Sequence, residues 1–374
     1  MKIAAVNLTA GGISGGNKRF LEQVLPRLAA HPAVAAVLCA APASLKTPEW
    51  VTPRPRLAFA ECRPFNPLRP APDKAFKKIL DDFRPDAVFM ATERRLDYPG
   101  VPQVVMVQNM APLSGIATTR GMLETLRLWA RRRDAGRAVK GAAAVIAPTA
   151  FVKEALTDKF SIPPEKISVI NYGSSPPAQA PIKPAGLPEK LSGPFIFTAG
   201  SLEYYRGVQD ALGALALLKP RFPGLKLAVA GGARPGIAGY LSGLKARARE
   251  LGVADDVFWL GDLSEREMSW CYFNCAACAV TSRVESFCLT ALEALEHGCL
   301  CVSTDSPCLP EIFGPQGRYY RAGNVLALER ELTRLLAADG RERSALAAAA
   351  RERARGFSWD KCADLIVKLL GQCL

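Results

Sequence analysis

Short apolar runs alternate with longer amphipathic stretches along almost the whole chain. Residues 2–8 form the first run. A helical pattern over 17–30 follows, with Phe20, Leu21, Val24, Leu25 and Leu28 on one face. Runs at 34–39, 86–90, 103–107, 143–147 and 167–170 read as strands, and 74–83, 119–140 and 150–159 as helices. Residues 42–72 are rich in proline and read as irregular. The rhythm then restarts. Strands are expected at 195–199, 226–230, 257–260, 276–280 and 299–302, with helices between them. Three more helices follow, at about 325–337, 341–355 and 359–370. Alternation of this kind predicts parallel sheets covered by helices on both faces.

A break interrupts the rhythm. Tyr172-Gly173-Ser174-Ser175-Pro176-Pro177 leads into a tract with Pro181, Pro184, Pro188 and Pro194, which has the composition of a linker. A chain of 374 residues is long for one core. The expected division is 1–175 and 190–356, both Rossmann-like, with the helix at about 357–374 packing back on the first domain. Open sheets of this class bind ligands outside the carboxyl ends of their strands. Two such domains would face each other across a central cleft.

Composition narrows the function classes. Hydrophobic residues make up 49% and charged residues 22%, which are globular values. No run of about 18 uncharged apolar residues exists to span a bilayer. The first residues lack the apolar core and cleavage site of a signal peptide, so a cytoplasmic location is expected. Eleven cysteines, mostly inside apolar patterns, suit buried free thiols. Cys271-x3-Cys275-x2-Cys278 has the spacing of an iron–sulfur motif, but that motif needs a loop. Here the first two fall at i, i+4 of a helical pattern, so structural thiols are expected. A net charge of +13 implies an acidic partner without choosing among nucleotide phosphate, anionic lipid and nucleic acid. No aromatic-interleaved basic stretch favours nucleic acid.

Three segments carry candidate chemistry. The first is 284–298, a turn and helix between two apolar strands. Ser286 reads as the N-cap, Leu289, Leu292 and Leu295 as the apolar stripe, and Gly298 as the stop. Glu285 and Glu293 flank the helix start. They are either solvated helix-end charges or ligands for hydroxyl groups. The second is the glycine-rich loop Gly11-Gly12-Ile13-Ser14-Gly15-Gly16 before the first helix, either a plain turn or a place for close backbone approach. The third is the basic pattern at 119–140. Met122, Leu123, Leu126, Trp129 and Ala130 form its apolar stripe, with Arg120, Arg127 and Arg131 opposite. It reads equally as a packing helix and as a contact for an anionic bilayer. His297 reads as a charge at a helix C-terminus.

Glu285-x7-Glu293, with Phe287 between and Gly298 after, resembles the donor-binding signature of retaining GT-B glycosyltransferases of family 4. Other segments match that family in order. They are Gly15-Gly16, the strand and turn at 144–149, the lead-out at 169–173, the loop 200–207 and the turn Pro310-Glu311. The resemblance implies a nucleotide diphosphate sugar donor and a glycan or lipid-linked acceptor in bacterial lipopolysaccharide or surface polysaccharide synthesis. It places Glu293 on the ribose hydroxyls and Glu285 on the transferred sugar. Arg206 and the backbone of Gly15 and Gly16 would meet the leaving diphosphate. Gly200, Ser201, Ser286, Phe287, Cys288 and Leu289 would complete the donor site. Gln108 and Asn109 would serve the acceptor, with Asn109 near the reacting sugar. Retention would proceed by front-face return, with the leaving phosphate assisting deprotonation of the acceptor. No metal or other cofactor is expected.

The sequence departs from the family at three places. Ser201 stands where an arginine is usual, Gln108-Asn109 where a histidine is common, and Cys288 where the signature has glycine. Two rivals therefore stay open: a nucleotide-sugar epimerase on the same plan, and a non-catalytic nucleotide-sugar-binding protein.

Overall fold

The first strand, β1 (Lys2–Val6), is apolar on both sides, and only a sheet covered on both faces can bury such a strand. The computed structural model describes residues 1–9, 15–66, 71–113, 122–232 and 238–374; at 122–124, 127 and 238 only the backbone is described. The chain divides into two units. One is Met1–Gly173 with Phe357–Leu374, the other Ser174–Gly356.

In the first unit β1 is joined by β2 (Ala36–Ala41), β3 (Leu57–Glu61), β4 (Ala87–Met90), β5 (Gln103–Met106), β6 (Ala144–Ala147) and β7 (Ile167–Val169). The sheet runs β3-β2-β1-β4-β5-β6-β7, with its strands parallel. Its helices are α1 (Gly15–Ala30), α2 (Thr47–Trp50), α3 (Lys74–Phe83), α4 (Met122–Gly141) and α5 (Ala150–Phe160). The second unit holds β8 (Phe195–Ala199), β9 (Lys226–Ala230), β10 (Val257–Gly261), β11 (Ala277–Val280), β12 (Cys301–Thr304) and β13 (Arg318–Tyr320). They are parallel in the order β10-β9-β8-β11-β12-β13. Its helices are α6 (Val208–Leu218), α7 (Ala238–Glu250), α8 (Glu265–Asn274), α9 (Leu289–Glu296), α10 (Leu309–Phe313), α11 (Val325–Ala337) and α12 (Gly340–Arg355). Strand order reverses between β1 and β4 in one sheet and between β8 and β11 in the other. At such a reversal the outgoing loops diverge and leave a crevice at the carboxyl ends.

Two strands depart from expectation. The proline-rich segment contains β3, which pairs along its length with β2. It is an edge strand, and its flanking residues Pro53, Pro55 and Pro64 lie outside the paired positions, where a missing N–H costs no ladder bond. The three-residue β13 closes the other sheet in the same way.

Helix α4 has two characters. Ala135, Ala138 and Val139 are buried, whereas Leu126 and Trp129 are 58% and 60% exposed. Leu126, Trp129 and Ala130 of the expected apolar stripe are therefore not packed, and what packs is a different set in the C-terminal half. Residues 119–121 and the side chains of Met122, Leu123 and Arg127 lie outside the described residues.

The last helix, α13 (Trp359–Gln372), belongs to the first unit and packs on α1. Trp359 stacks on Tyr172 at 5.9 Å between ring centres and meets the edge of Phe20 at 6.1 Å. Gly173 makes room for this turn: a Cβ there would lie 2.0 Å from the Trp359 nitrogen. Truncating a buried tryptophan leaves a large cavity. Trp359→Ala should destabilise the first unit by about 3–5 kcal/mol in urea unfolding. A change under about 1 kcal/mol would show that this helix is not part of its core.

Candidate active site

The second sheet's reversal is flanked by two loops. Loop 200–207 leaves β8, and loop 281–288 leaves β11. Gly200 has φ +141° and Gly207 φ +66°, both favouring glycine. At Gly207 a Cβ would lie 2.3 Å from the Thr281 carbonyl oxygen, so the loops touch through backbone. They are also bonded to each other. The Thr281 hydroxyl donates to the Arg206 carbonyl at 2.6 Å, and the Arg283 amide donates to the Tyr205 carbonyl at 2.8 Å. The hydroxyls of Thr304 and Ser306, at and beyond the end of β12, hold the Ser282 and Arg283 carbonyls.

This clamp brings Arg206 onto Glu285. Nη1 of Arg206 donates to Glu285 Oε1 and, at 3.1 Å, to the Ser282 hydroxyl. The two side chains are 21% and 9% exposed, so the pair is largely withdrawn from water. Nε of Arg206 is buried and has no partner. Desolvated donors are rarely left so, and each costs about 1–3 kcal/mol unless something accepts from it. A Cβ on Gly200 would lie 3.6 Å from the arginine side chain, which lines a crevice with Thr198, Thr281 and Ser282. Ser201 adjoins it, half-buried, and its carbonyl takes the Glu203 amide.

The helix after Glu285 starts later than expected. Its N-cap is Cys288, not Ser286, and no side chain caps it. Cys288 adopts φ +76°, ψ +75°, a left-handed conformation that turns the chain into α9. Its thiol lies 3.4 Å from the Thr290 hydroxyl. Ser286 and Phe287 are buried in the turn. Leu289 is the first residue of α9, and Glu293 lies just over one turn further on, half-buried. The Tyr272 hydroxyl holds that carboxylate at 3.3 Å and the Thr290 carbonyl at 3.2 Å. His297 is not an exposed helix-end charge. It is buried between the Ser269 hydroxyl at 2.5 Å and the Glu293 carbonyl at 2.7 Å, and burial lowers its pKa.

Gln108 and Asn109 follow β5 in the first unit. The Asn109 side chain accepts from the Ala111 amide at 2.9 Å, which is the geometry of a turn. The Gln108 amide donates to the Glu93 carboxylate at 3.3 Å. Burial raises the Glu93 pKa. Glu93 follows β4, so it sits at that sheet's reversal. No motif marked it, because its partner is fifteen residues away. Gly15 and Gly16 are exposed at the start of α1, and a Cβ on Gly15 would meet nothing. Gly11, Gly12, Ile13 and Ser14 lie outside the described residues. So Gly200, Ser201, Arg206 and Glu285 converge with the head of α9 in the second unit, while Gln108, Asn109, Gly15 and Gly16 belong to the first.

The family profile "Glycosyl transferases group 1" matches residues 180–353, and "Glycosyltransferase Family 4" matches 14–174. The chain belongs to the group 1, family 4 glycosyltransferases. Among relatives, a D-inositol 3-phosphate glycosyltransferase of Segniliparus rotundus is 28% identical over 72% of this chain. The match spans 60% of that relative's length. Anabaena Alr3699/HepE, solved with UDP and glucose, superimposes with a TM-score of 0.75 at 18% identity over 100% of both chains. The lipopolysaccharide outer core galactosyltransferase WaaB superimposes at 0.65 with 19% identity over 99% of both. These likenesses establish the GT-B fold. The structure shows what position 288 demands, a left-handed residue.

Two outcomes follow. A left-handed non-glycine residue costs about 1–2 kcal/mol, and glycine gives back about 0.4–1 in unfolded-state entropy. Cys288→Gly should therefore stay within about 1 kcal/mol of wild type, whereas the β-branched Cys288→Val should lose clearly more in the same melt. His297 is held neutral, with its folded pKa below the unfolded value of about 6.5. Its contribution is complete above that value and is lost as pH falls through it towards the folded pKa. The melting temperature of wild type should drop more steeply than that of His297→Gln on acidification from neutrality. Parallel profiles would show that His297 is not the group responsible.

Proposed function

We propose that the protein is a retaining glycosyltransferase that takes a sugar from a nucleotide diphosphate donor bound at the 200–207 and 281–293 loops. The observation that carries this reading is the buried, unpartnered Nε of Arg206 beside the Glu285 carboxylate. Together they offer a donor for an oxygen anion and an acceptor for a hydroxyl, side by side. A sugar phosphate presents both. The first turn of α9 has no side-chain cap and no acidic residue, so its amides add positive potential beside them. As the glycosidic bond breaks, charge grows on the leaving phosphate oxygen, and donors already in place stabilise it most. Glu293, oriented by Tyr272, would take ribose hydroxyls. Charge held by Arg206 and backbone amides removes the need for a metal. The UDP and glucose of the Anabaena neighbour support a nucleotide-sugar donor. The WaaB neighbour supports a glycan acceptor of the lipopolysaccharide type.

A second element of the reading concerns α4. Leu126 and Trp129 are exposed, Arg133 lies 5.6 Å from the Trp129 ring, and Arg131, Arg137 and Lys140 are also exposed. Apolar and basic groups together suit an anionic bilayer surface and a lipid-linked acceptor.

A donor at about 100 times its Kd should stabilise the protein by about 2.7 kcal/mol, read as a thermal shift across UDP-, GDP-, ADP- and dTDP-sugars. No shift with any of them would sink the donor site. Glu293→Ala should weaken donor binding by about 1.5–3 kcal/mol, roughly tenfold to a hundredfold. Donor bound yet never hydrolysed or transferred would favour a binding protein instead. For α4, wild type should sediment with vesicles containing anionic lipid and Trp129→Ala less so. Equal sedimentation of the two would remove that contact.

A further inference from the structure

Seven of the eleven cysteines lie in the second unit, and the chemistry proposed above uses none of their sulfurs. Two pairs lie close: Cys278 and Cys301 on the paired strands β11 and β12, and Cys275 with Cys299. Cys275 ends α8 and Cys299 lies between α9 and β12, and their sulfurs are 3.9 Å apart. Both thiols donate to one acceptor, the Tyr272 carbonyl, at 3.5 Å from Cys275 and 3.0 Å from Cys299. Cys275 is half-exposed and Cys299 is buried. A disulfide needs the sulfurs at about 2.05 Å, so closure asks for roughly 2 Å of approach. The end of a helix can supply that. Cys275 is the C-cap of α8, tied by its amide to the Cys271 carbonyl at 2.9 Å.

Tyr272 links this pair to the donor loops. Its carbonyl receives both thiols, and its hydroxyl reaches Thr290 and Glu293. Its ring is buried against Phe197 at 5.2 Å, so the residue moves as one body. Closing a disulfide removes both S–H donors from the carbonyl and draws the end of α8 towards Cys299. The hydroxyl at the other end of the ring belongs to the same residue, so its contact with Glu293 is exposed to that movement.

We propose that Cys275 and Cys299 are an oxidisable dithiol, and that its closure by a low-molecular-weight disulfide weakens donor binding at Glu293. Cys275, the exposed partner, attacks one sulfur of the oxidant as a thiolate and expels a thiolate. Cys299, whose thiol is held protonated by burial, gives up its proton to the departing thiolate as its sulfur attacks the mixed disulfide and expels the second. Two protein thiols become one disulfide, and the two electrons and two protons leave with the oxidant as two free thiols. The dithiol stands on its own geometry; its effect on binding rests on the donor site proposed above.

The test is incubation of the full chain with glutathione disulfide, followed by thiol counting under denaturing conditions and a donor-binding titration. Wild type should fall from eleven titratable thiols to nine, with Cys275 and Cys299 joined in the peptide map. Cys275→Ser should keep all ten of its thiols. Donor affinity of oxidised wild type should drop at least several-fold and recover on reduction, while Cys275→Ser is indifferent to the oxidant. An unchanged thiol count, a stable glutathione adduct on Cys275, or a bond between Cys278 and Cys301 instead would overturn the dithiol. Formation of the 275–299 bond with unchanged donor affinity would overturn its coupling to Glu293. If the reduced protein binds no nucleotide sugar at all, the donor site itself has failed and the coupling with it, while the thiol count still decides the dithiol.

Discussion

The ion pair of Arg206 and Glu285 is the constraint around which the second unit's loops are built. Two charges this far out of water cost more than their attraction returns unless geometry is fixed in advance. The fixing is done by backbone. Gly207 lets loop 200–207 lie against the Thr281 carbonyl, and the Thr281 hydroxyl and Arg283 amide bind the Arg206 and Tyr205 carbonyls just before it. Arg283 in turn pairs with the buried Asp210, which also accepts from Tyr320 and the Gly323 amide. The charge pair therefore stands on a network running from α6 through β13 to the turn before α11.

Sheet topology explains why this network sits where it does. A parallel sheet satisfies its own backbone groups along the strands and leaves loops only at the ends. Where strand order reverses, between β8 and β11, no loop crosses the gap. Polar side chains can then face one another without either burying a ladder position. In the first sheet the loops leaving the neighbouring strands β4 and β5, beside the reversal, bring Glu93 against the Gln108 amide.

Legibility in the sequence followed the range of the forces involved. Buried parallel strands such as β1, β6 and β11 are short apolar runs whose burial needs no partner to be inferred. The edge strands β3 and β13 were not legible, because half-exposed strands carry a mixed pattern and prolines beside them imitate a loop. The start of α9 was misplaced for a related reason. Ser286 has the right side chain for a cap, but the turn is set by a left-handed Cys288, and nothing in cysteine's chemistry announces that conformation. The resemblance names Glu285 and Glu293 by their spacing and Arg206 by its loop, and the structure brings Arg206 onto Glu285. Their contacts were not legible: Arg206 and Glu285 are 79 residues apart, and Tyr272 reaches Glu293 over 21. His297 was read as a surface charge because its partner Ser269 lies one helix earlier.

One difficulty raised by the sequence has a physical answer in this arrangement. Two carboxylates beside a proposed phosphate site are an electrostatic problem, since like charges a few ångströms apart cost several kcal/mol at low dielectric. Glu285 is already compensated by the guanidinium that holds it, so an incoming anion meets a near-neutral pair with a spare N–H rather than a bare carboxylate. Glu293 is drawn by Tyr272 towards α8, over a turn inside α9 and away from the helix's first amides. That Ser201 stands where the resemblance implies an arginine then matters less than it first suggests. In the proposed reading the site needs one cation whose charge is balanced at rest and released by the ligand, and the 200–207 loop supplies that cation at Arg206.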